Sequence, residues 1–322
     1  MFIAFLQYSI RYSTVFLFGC TGEIIMEKSG HLNLGVPGIM CAGTAGGCLG
    51  VSLYMNVLPA GANPSWLLLI LIGILSAFLF GAFLGAIYAF LTVTLHCNQN
   101  ITGLALTTFG GGFTQFIMDN YVVKDKFNVA STFVAKYLPF ADSLGGFGKL
   151  FLSYGILVYL AIAIAVVTSV FLKRTKTGLN LRAIGENPAT ADAVGINIVA
   201  YKYLAVLVGS GIAGVGGFFF TMDISQGAYE SYMEIEALGW LSIALVIFTV
   251  WRPNLAIIGS ILFGALSSLP NFLRITDSTS NALMSLIPYI VTVLVLIVLS
   301  ITGSKSVQPP AALGLNYFRE DR

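Results

Sequence analysis

Leu181-Arg182-Ala183-Ile184-Gly185-Glu186-Asn187-Pro188-Ala189-Thr190-Ala191-Asp192-Ala193-Val194-Gly195-Ile196 is a polar island in a 322-residue chain that is 57% hydrophobic and only 9% charged. It reads as a short, well-capped helix. The Asn187 side chain can accept from an unpaired backbone N–H of the first turn. Pro188 suits the first helical position, where its missing N–H costs nothing. Ala189, Ala191 and Ala193 propagate the helix with little loss of side-chain entropy. Gly195 can take the left-handed conformation that ends it. Two turns cannot cross a bilayer, and the segment has no wide apolar stripe with which to lie on one. A stiff, small-faced knob between long apolar segments suits docking into a groove of another protein and passing force from it.

Soluble domains run at about 25% charged residues, so 9% marks an integral membrane protein. A formal net charge of +2 gives no reason to expect nucleic acid as a partner. Cys20, Cys41, Cys48 and Cys97 lie in apolar segments without CxxC spacing and read as small hydrophobes, and no metal site is expected. Met1-Phe2-Ile3-Ala4-Phe5 has neither a basic leader nor a small-residue cleavage site, and reads as mature protein.

A span needs roughly 20 mostly apolar residues. That criterion gives intervals at 3–26, 34–55, 66–95, 101–118, 151–172, 203–222, 237–250, 254–273 and 282–301, the seventh short and the third long enough to tilt or project. Many of the 35 glycines lie inside these intervals, which lets helix backbones approach closely in lipid. The whole chain reads as one transmembrane domain, 1–322, with a loop at 173–202 and a tail at 302–322. If the 173–202 loop is inside, the inner side holds Lys28, Lys173, Arg174, Lys176, Arg182, Lys202, Arg252, Lys305, Arg319 and Arg322. The outer side then holds Lys124, Lys126, Lys136, Lys149 and Arg274, with Arg11 left in the first span. Ten against five predicts an external N-terminus and a cytoplasmic C-terminus.

Arg11, Glu23 and Glu27 are costly in hydrocarbon and should face a bundle interior or an interface, with Lys28 offsetting the two acids. Ser29 to Met40 carries three glycines and Pro37 within nine residues and cannot be regular helix throughout. Such backbone at membrane depth needs protein or a water-filled cavity around it, so the reading is a broken start to the second span, lining a pathway. A simple interfacial turn is the alternative. In the fourth span Thr107 and Thr108 either donate to a ligand or bond their own i−4 carbonyls, and Phe109 can stack on a ring. Asp223 to Glu236 has four acids and no base, which fits either a basic partner or a solvated loop. Trp240 either stacks on a ligand or packs, and Trp251 reads as an interfacial anchor. His31 and His96 read as interfacial residues, not proton relays.

No G-x-x-x-x-G-K-[ST] occurs, since Gly148-Lys149 is followed by Leu150, and no H-E-x-x-H occurs. No ladder of acids in the spans argues for ion coupling. An ion-coupled secondary transporter and a membrane enzyme therefore rank behind a pathway driven by a separate ATPase.

Arg182-Ala183-x-Gly185-x-Asn187-Pro188-x-x-Ala191-x-x-x-Gly195-Ile196 resembles the coupling-loop signature of ABC importer permeases of the sugar, nucleoside and branched-chain amino-acid group. Ser29, Gly30, Asn33, Gly35, Gly38 and Met40 match a motif of nucleoside-type permeases, with Pro37 where these usually carry Glu. The likeness continues through Gly103-Leu104-Ala105, although the family often has Asn near Thr107, and through Gly239-Trp240-x-x-Ile243-Ala244 and Trp251-x-Pro253. The resemblance implies an all-α, type II importer-like bundle of about nine transmembrane helices (roughly eight to ten by the length criterion), with a broken second helix and a cytoplasmic coupling helix. It assigns coupling to Arg182, Gly185, Glu186, Asn187, Pro188, Ala191, Asp192 and Gly195. It assigns the substrate pathway to Asn33, Gly35, Gly38, Met40, Thr107, Thr108, Phe109, Gly239 and Trp240.

The implied partners are a cytoplasmic ABC ATPase that uses ATP and Mg, an extracytoplasmic substrate-binding lipoprotein and a second permease, either a longer homologue or a second copy. The chain itself is expected to bind no cofactor. The implied setting is a bacterial cytoplasmic membrane. Asn33 and the lack of a leading span are similar to the shorter member of nucleoside uptake systems, which makes nucleosides the expected cargo. Simple sugars such as ribose or galactose, and riboflavin, are the alternatives.

Overall fold

The computed structural model describes residues 2–59, 62–137, 145–273, 277–302 and 308–318. Arg274, Lys305, Arg319 and Arg322, which entered the charge comparison, lie outside them. The described residues form helices and no strand. The long ones are α1 (Phe2–Glu27), α2 (Val36–Val57), α3 (Trp66–Ala89, continued by a π turn at Phe90–Thr94), α4 (Gln99–Asn120) and, after the short α5 (Phe127–Val134) and α6 (Gly145–Phe151), α7 (Ile156–Arg174). Then come α8 (Lys176–Glu186), α9 (Pro188–Ala193), α10 (Ile198–Phe219, with a π turn at Phe220–Ile224), α11 (Met233–Phe248), α12 (Pro253–Phe272), α13 (Ser278–Ser285) and α14 (Ile287–Thr302).

Each of the nine predicted intervals overlaps a helix. Five of the helices are by themselves long and apolar enough to cross a membrane: α2, α3, α7, α10 and α12. Several boundaries move, the fifth start from 151 to Ile156 and the sixth from 203 to Ile198. The seventh span begins at Met233, because Glu234 and Glu236 complement the helix dipole in its first turn. The ninth divides into α13 and α14, the latter opening with Pro288 at its second position.

α1, α2 and α10 form the centre, with α3 against α2 and α10, and α12 against α1. The backbones come close where Gly43 of α2 meets Gly214 of α10. A Cβ on Gly43 would lie 2.2 Å from both the Cα and the carbonyl oxygen of Gly214. Lipid tails do not push apolar helices together, so this backbone contact must come from small residues that permit dispersion at short range. At the periphery Leu67, Leu71, Leu75, Leu79 and Phe83 make one exposed apolar stripe on α3, and Ile162, Val166, Val167 and Val170 another on α7. In a membrane these faces meet lipid.

The two ends of the bundle differ. Gln7 bonds Ser153, Ser9 meets Ser268, and Lys126 donates to the Met55 carbonyl, so the start of α1 and the ends of α2 and α12 share one end. Residues 28–35, 95–99, 175–197 and 308–318 share the other. Two buried acids find partners across long sequence distances. Arg11 binds the Asp223 carboxylate and main chain, so the predicted outer acidic loop begins with a buried acid, 1% exposed, and not with a solvated one. Glu27 accepts from the indole N–H of Trp251, which is therefore a buried partner, 6% exposed, and not an interfacial anchor.

Candidate functional site

The Arg182 stretch forms an elbow of two helices. Arg182, Gly185 and Glu186 belong to α8, whose N-cap Thr175 accepts from the Gly178 N–H. This helix is missing from the reading of the sequence. Asn187 ends α8 and starts α9, with its Oδ1 accepting from the Thr190 N–H at 3.0 Å, and Pro188 takes the first helical position. Gly195 has φ +82° and donates to the Asp192 carbonyl at 2.9 Å, while the Ile196 N–H reaches the Ala191 carbonyl at 3.1 Å. These two bonds are the Schellman termination that a glycine in this position makes, with the Ile196 side chain packed towards Ala191.

One face of α9 is buried through Ala191, which meets Ile184 and Ile198. Asn187, Ala189, Thr190, Ala193 and Val194 are exposed, and Asp192 accepts from the Tyr317 hydroxyl at 2.9 Å. The knob is thus fixed from behind and bare in front. The elbow presses directly on residues 28–30. A Cβ at Gly185 would lie 2.4 Å from the Lys28 carbonyl oxygen, and the Gly30 N–H is next to it. Gly30 itself has φ +86° and permits the turn out of α1. Burial, then the neighbouring Arg182 charge, lowers the pKa of Lys28.

Residues 28–35 are non-helical, and all but Lys28, Leu32 and Leu34, which are half-buried, are buried, so protein surrounds most of this irregular backbone. Once α2 begins at Val36, with Pro37 in its first turn, it runs unbroken to Val57; the break lies before the helix and not within it. The pathway candidates divide into two groups. Asn33, Gly35, Gly38, Thr107 and Gly239 are brought together here. Asn33 caps its own turn by accepting from the Gly35 N–H at 2.9 Å. Thr107 donates to the Leu34 carbonyl at 2.9 Å, Gly38 lies on the α4 backbone at Leu106 and Thr107, and Gly239 lies on Pro37. The side-chain oxygens of Asn33 and Thr107 serve the main chain in this conformation, and the Asn33 amide N–H donates to Met26 Sδ. Met40 is buried deeper, against Gly217. Thr108 is exposed and donates to Leu104, the i−4 alternative, Phe109 stacks on Phe113 with centroids 5.9 Å apart, and Trp240 is half-buried at the core edge.

A cavity of about 590 Å³ lies behind α9, lined among others by Thr92, His96, Asp192, Asn197, Lys202 and Tyr317.

A family model described as the branched-chain amino acid transport system permease component matches residues 5–296. The chain belongs to that family. The permease is 33% identical over 338 residues to a Haloferax volcanii protein named "Putative glucose ABC transporter permease protein TsgC13", covering 98% of this chain and 97% of the relative. It is 31% identical over 319 residues to the nucleoside ABC transporter permease protein NupC of Lactococcus lactis, covering 96% and 94%. It is 28% identical over 323 residues to the guanosine ABC transporter permease protein NupQ of Bacillus subtilis, covering 98% and 96%. The permease is a multi-pass membrane protein by family and by its apolar helices.

Two groups of residues at this end of the permease escape the sequence reading. Gln99, 2% exposed, accepts from the Leu32 N–H at 2.9 Å and donates to Asn316, and residues 308–318 lie across the elbow. The polar run Asn98-Gln99-Asn100 is the available signal for the first; the second reads only as a tail.

Asn187→Ala removes the shared cap and should cost about 1 kcal/mol, seen as a lower melting temperature of the purified permease and faster proteolysis after α8. A pH effect is expected close by. His31 is 1% exposed, faces the Tyr88 ring, and has no hydrogen-bond partner on either ring nitrogen among the described residues. Burial, and then the Lys202 charge, hold its pKa well below the usual 6.5. The unfolded chain takes up a proton that the folded one refuses, so stability should be flat above about pH 7 and fall as pH drops below about 6.5. A melting series across that range should lose this slope in His31→Gln.

Proposed function

We propose that the permease is the membrane subunit of an ATP-driven importer for nucleosides, moved by a separate cytoplasmic ATPase that grips α9. The observation that carries the proposal is the elbow: a capped knob, bare in front, whose base at Gly185 touches the main chain between α1 and α2. A push on α9 would reach the start of α2, and with it α4 and α11 through Gly38 and Gly239. Since α1 starts at the end away from the elbow, an elbow in the cytoplasm implies an external N-terminus and a C-terminal segment inside. In this reading all nine long helices cross the membrane, including α1, α4, α11 and α14, which lie outside the five that are long and apolar enough by themselves.

Nucleosides as cargo are supported by the names of NupC and NupQ together with Asn33, Gly35, Gly38 and Met40. Glucose-like sugars are the second reading, favoured by the name of TsgC13. A second permease completes the membrane part, and an extracytoplasmic lipoprotein delivers the cargo. The chain brings no cofactor; ATP and Mg belong to the ATPase.

The test is uptake by proteoliposomes holding the complete transporter, with labelled guanosine, uridine, glucose and ribose supplied with the receptor outside and ATP within. ATP-dependent nucleoside accumulation that resists a protonophore is expected. Accumulation of sugar alone would move the assignment to the second reading, and accumulation abolished by the protonophore with ATP still high would refute both.

A further inference from the structure

The segment 308–318 has no regular helix beyond a turn, yet from Ala311 to Phe318 it is bound repeatedly to other parts of the chain. The Ala312 N–H donates to the Gly185 carbonyl at 2.9 Å, and the Ala311 N–H reaches the Glu186 carboxylate at 3.3 Å. The Gly314 N–H donates to the Gly30 carbonyl at 3.1 Å, and Leu313 packs on the core. Further along, Asn316 Nδ2 donates to the His96 carbonyl at 2.6 Å, and its Oδ1 accepts from Gln99 at 3.3 Å. Tyr317 donates to the Asp192 carboxylate, and the Phe318 ring lies 4.7 Å from that of His96.

The strap therefore joins three regions: the α8–α9 elbow, the loop after α1, and the turn between α3 and α4. The elbow reaches the loop after α1 directly, through Gly185 against Lys28. Tyr317 and Asn316 link α9 to the α3–α4 turn by hydrogen bonds to Asp192 and to the His96 carbonyl. That turn is the root of α4, and α4 lies on α2 at Gly38 and Gly110. Gln99 extends the connection, since one carboxamide holds both Leu32 of the α1–α2 loop and Asn316 of the strap.

We infer that residues 308–318 are a positioning element of transport: a strap that makes the start of α4 follow α9. Without it a displacement of α9 still reaches α1 and α2, and α4 through Gly38, but the root of α4 loses its own tie to α9 and follows it less closely. This rests on the reading of α9 as the element moved by the ATPase. A tail serving only as an anchor would affect how much transporter assembles, and a strap affects how much cargo each ATP moves.

The test uses Asn316→Ala combined with Tyr317→Phe, which cuts the side-chain hydrogen bonds to His96, Gln99 and Asp192 and leaves the backbone bonds at Ala312 and Gly314, the Glu186 contact and the Phe318–His96 contact. In proteoliposomes of the complete transporter, the amount of assembled complex and its ATP hydrolysis should stay near wild type, while uptake per ATP falls about threefold or more. Unchanged uptake per ATP would overturn the inference. As a second measurement, spin labels at Ala189 and Asn100 report the distance between α9 and the start of α4, whatever the cargo. The nucleotide-driven change in that distance should be larger in the double variant, and equal changes would overturn the inference even if assembly suffers. A wild-type complex that hydrolyses ATP but accumulates no solute would instead refute the importer reading, and the label distances separate that failure from failure of the strap.

Discussion

Gly185→Val should abolish most uptake while leaving the permease folded. The new Cβ would stand 2.4 Å from the Lys28 carbonyl oxygen and 3.3 Å from the Gly30 nitrogen, both main-chain atoms that cannot swing aside. Either the elbow lifts away or the loop after α1 shifts. Overpacking of this kind costs about 1–3 kcal/mol when absorbed by backbone movement. If even about 1.4 kcal/mol falls on the contact between elbow and loop, the population with the contact made drops about tenfold. Uptake should fall by about that factor or more, with ATP hydrolysis no longer matched to it. Ala183→Val is the control, because Ala183 is exposed on the same helix and should transport nearly as the wild type does. Equal uptake by both variants would separate the elbow from transport.

Gly43→Val acts on the other large contact and should damage the fold itself. Its Cβ would lie 2.2 Å from two main-chain atoms of Gly214, so α2 and α10 must separate along much of their length. Separation loses dispersion contacts over a central interface that lipid does not drive together. A loss of about 3 kcal/mol or more is expected, with a melting temperature in detergent lower by about 5 °C or more. Gly112→Val, whose Cβ would meet no atom within 4 Å, should melt with the wild type. If Gly43→Val melted no lower than Gly112→Val, the Gly43–Gly214 contact would not be what holds the centre together.

Much of this molecule is legible from its sequence because hydropathy and length determine helices in lipid with little help from tertiary context. The capped α9 is legible for a local reason: Asn187, Pro188 and Gly195 each act within four residues of themselves. α8 is not, because Gly178, Asn180 and Gly185 weaken its propensity and the packing of Leu181 and Ile184 supplies the difference. The ionic interior is illegible for the opposite reason. Arg11 finds Asp223, and Glu27 finds Trp251, more than 200 residues away, and nothing local announces either partner. Thr107 shows where reading residue types stops: a hydroxyl that can serve a ligand serves Leu34 in this conformation, and only the fold decides between them.

Transport as proposed depends on α9 being the place where an outside engine takes hold. A photo-crosslinking residue at Thr190, exposed on the free face of α9, tests this most directly in membranes holding the complete transporter. The expected result is an adduct with the ATP-hydrolysing subunit, and modification of a cysteine at the same position by impermeant reagent only from the cytoplasmic side. A transporter that works yet gives no such adduct, or whose position 190 reacts from outside the cell, would contradict it.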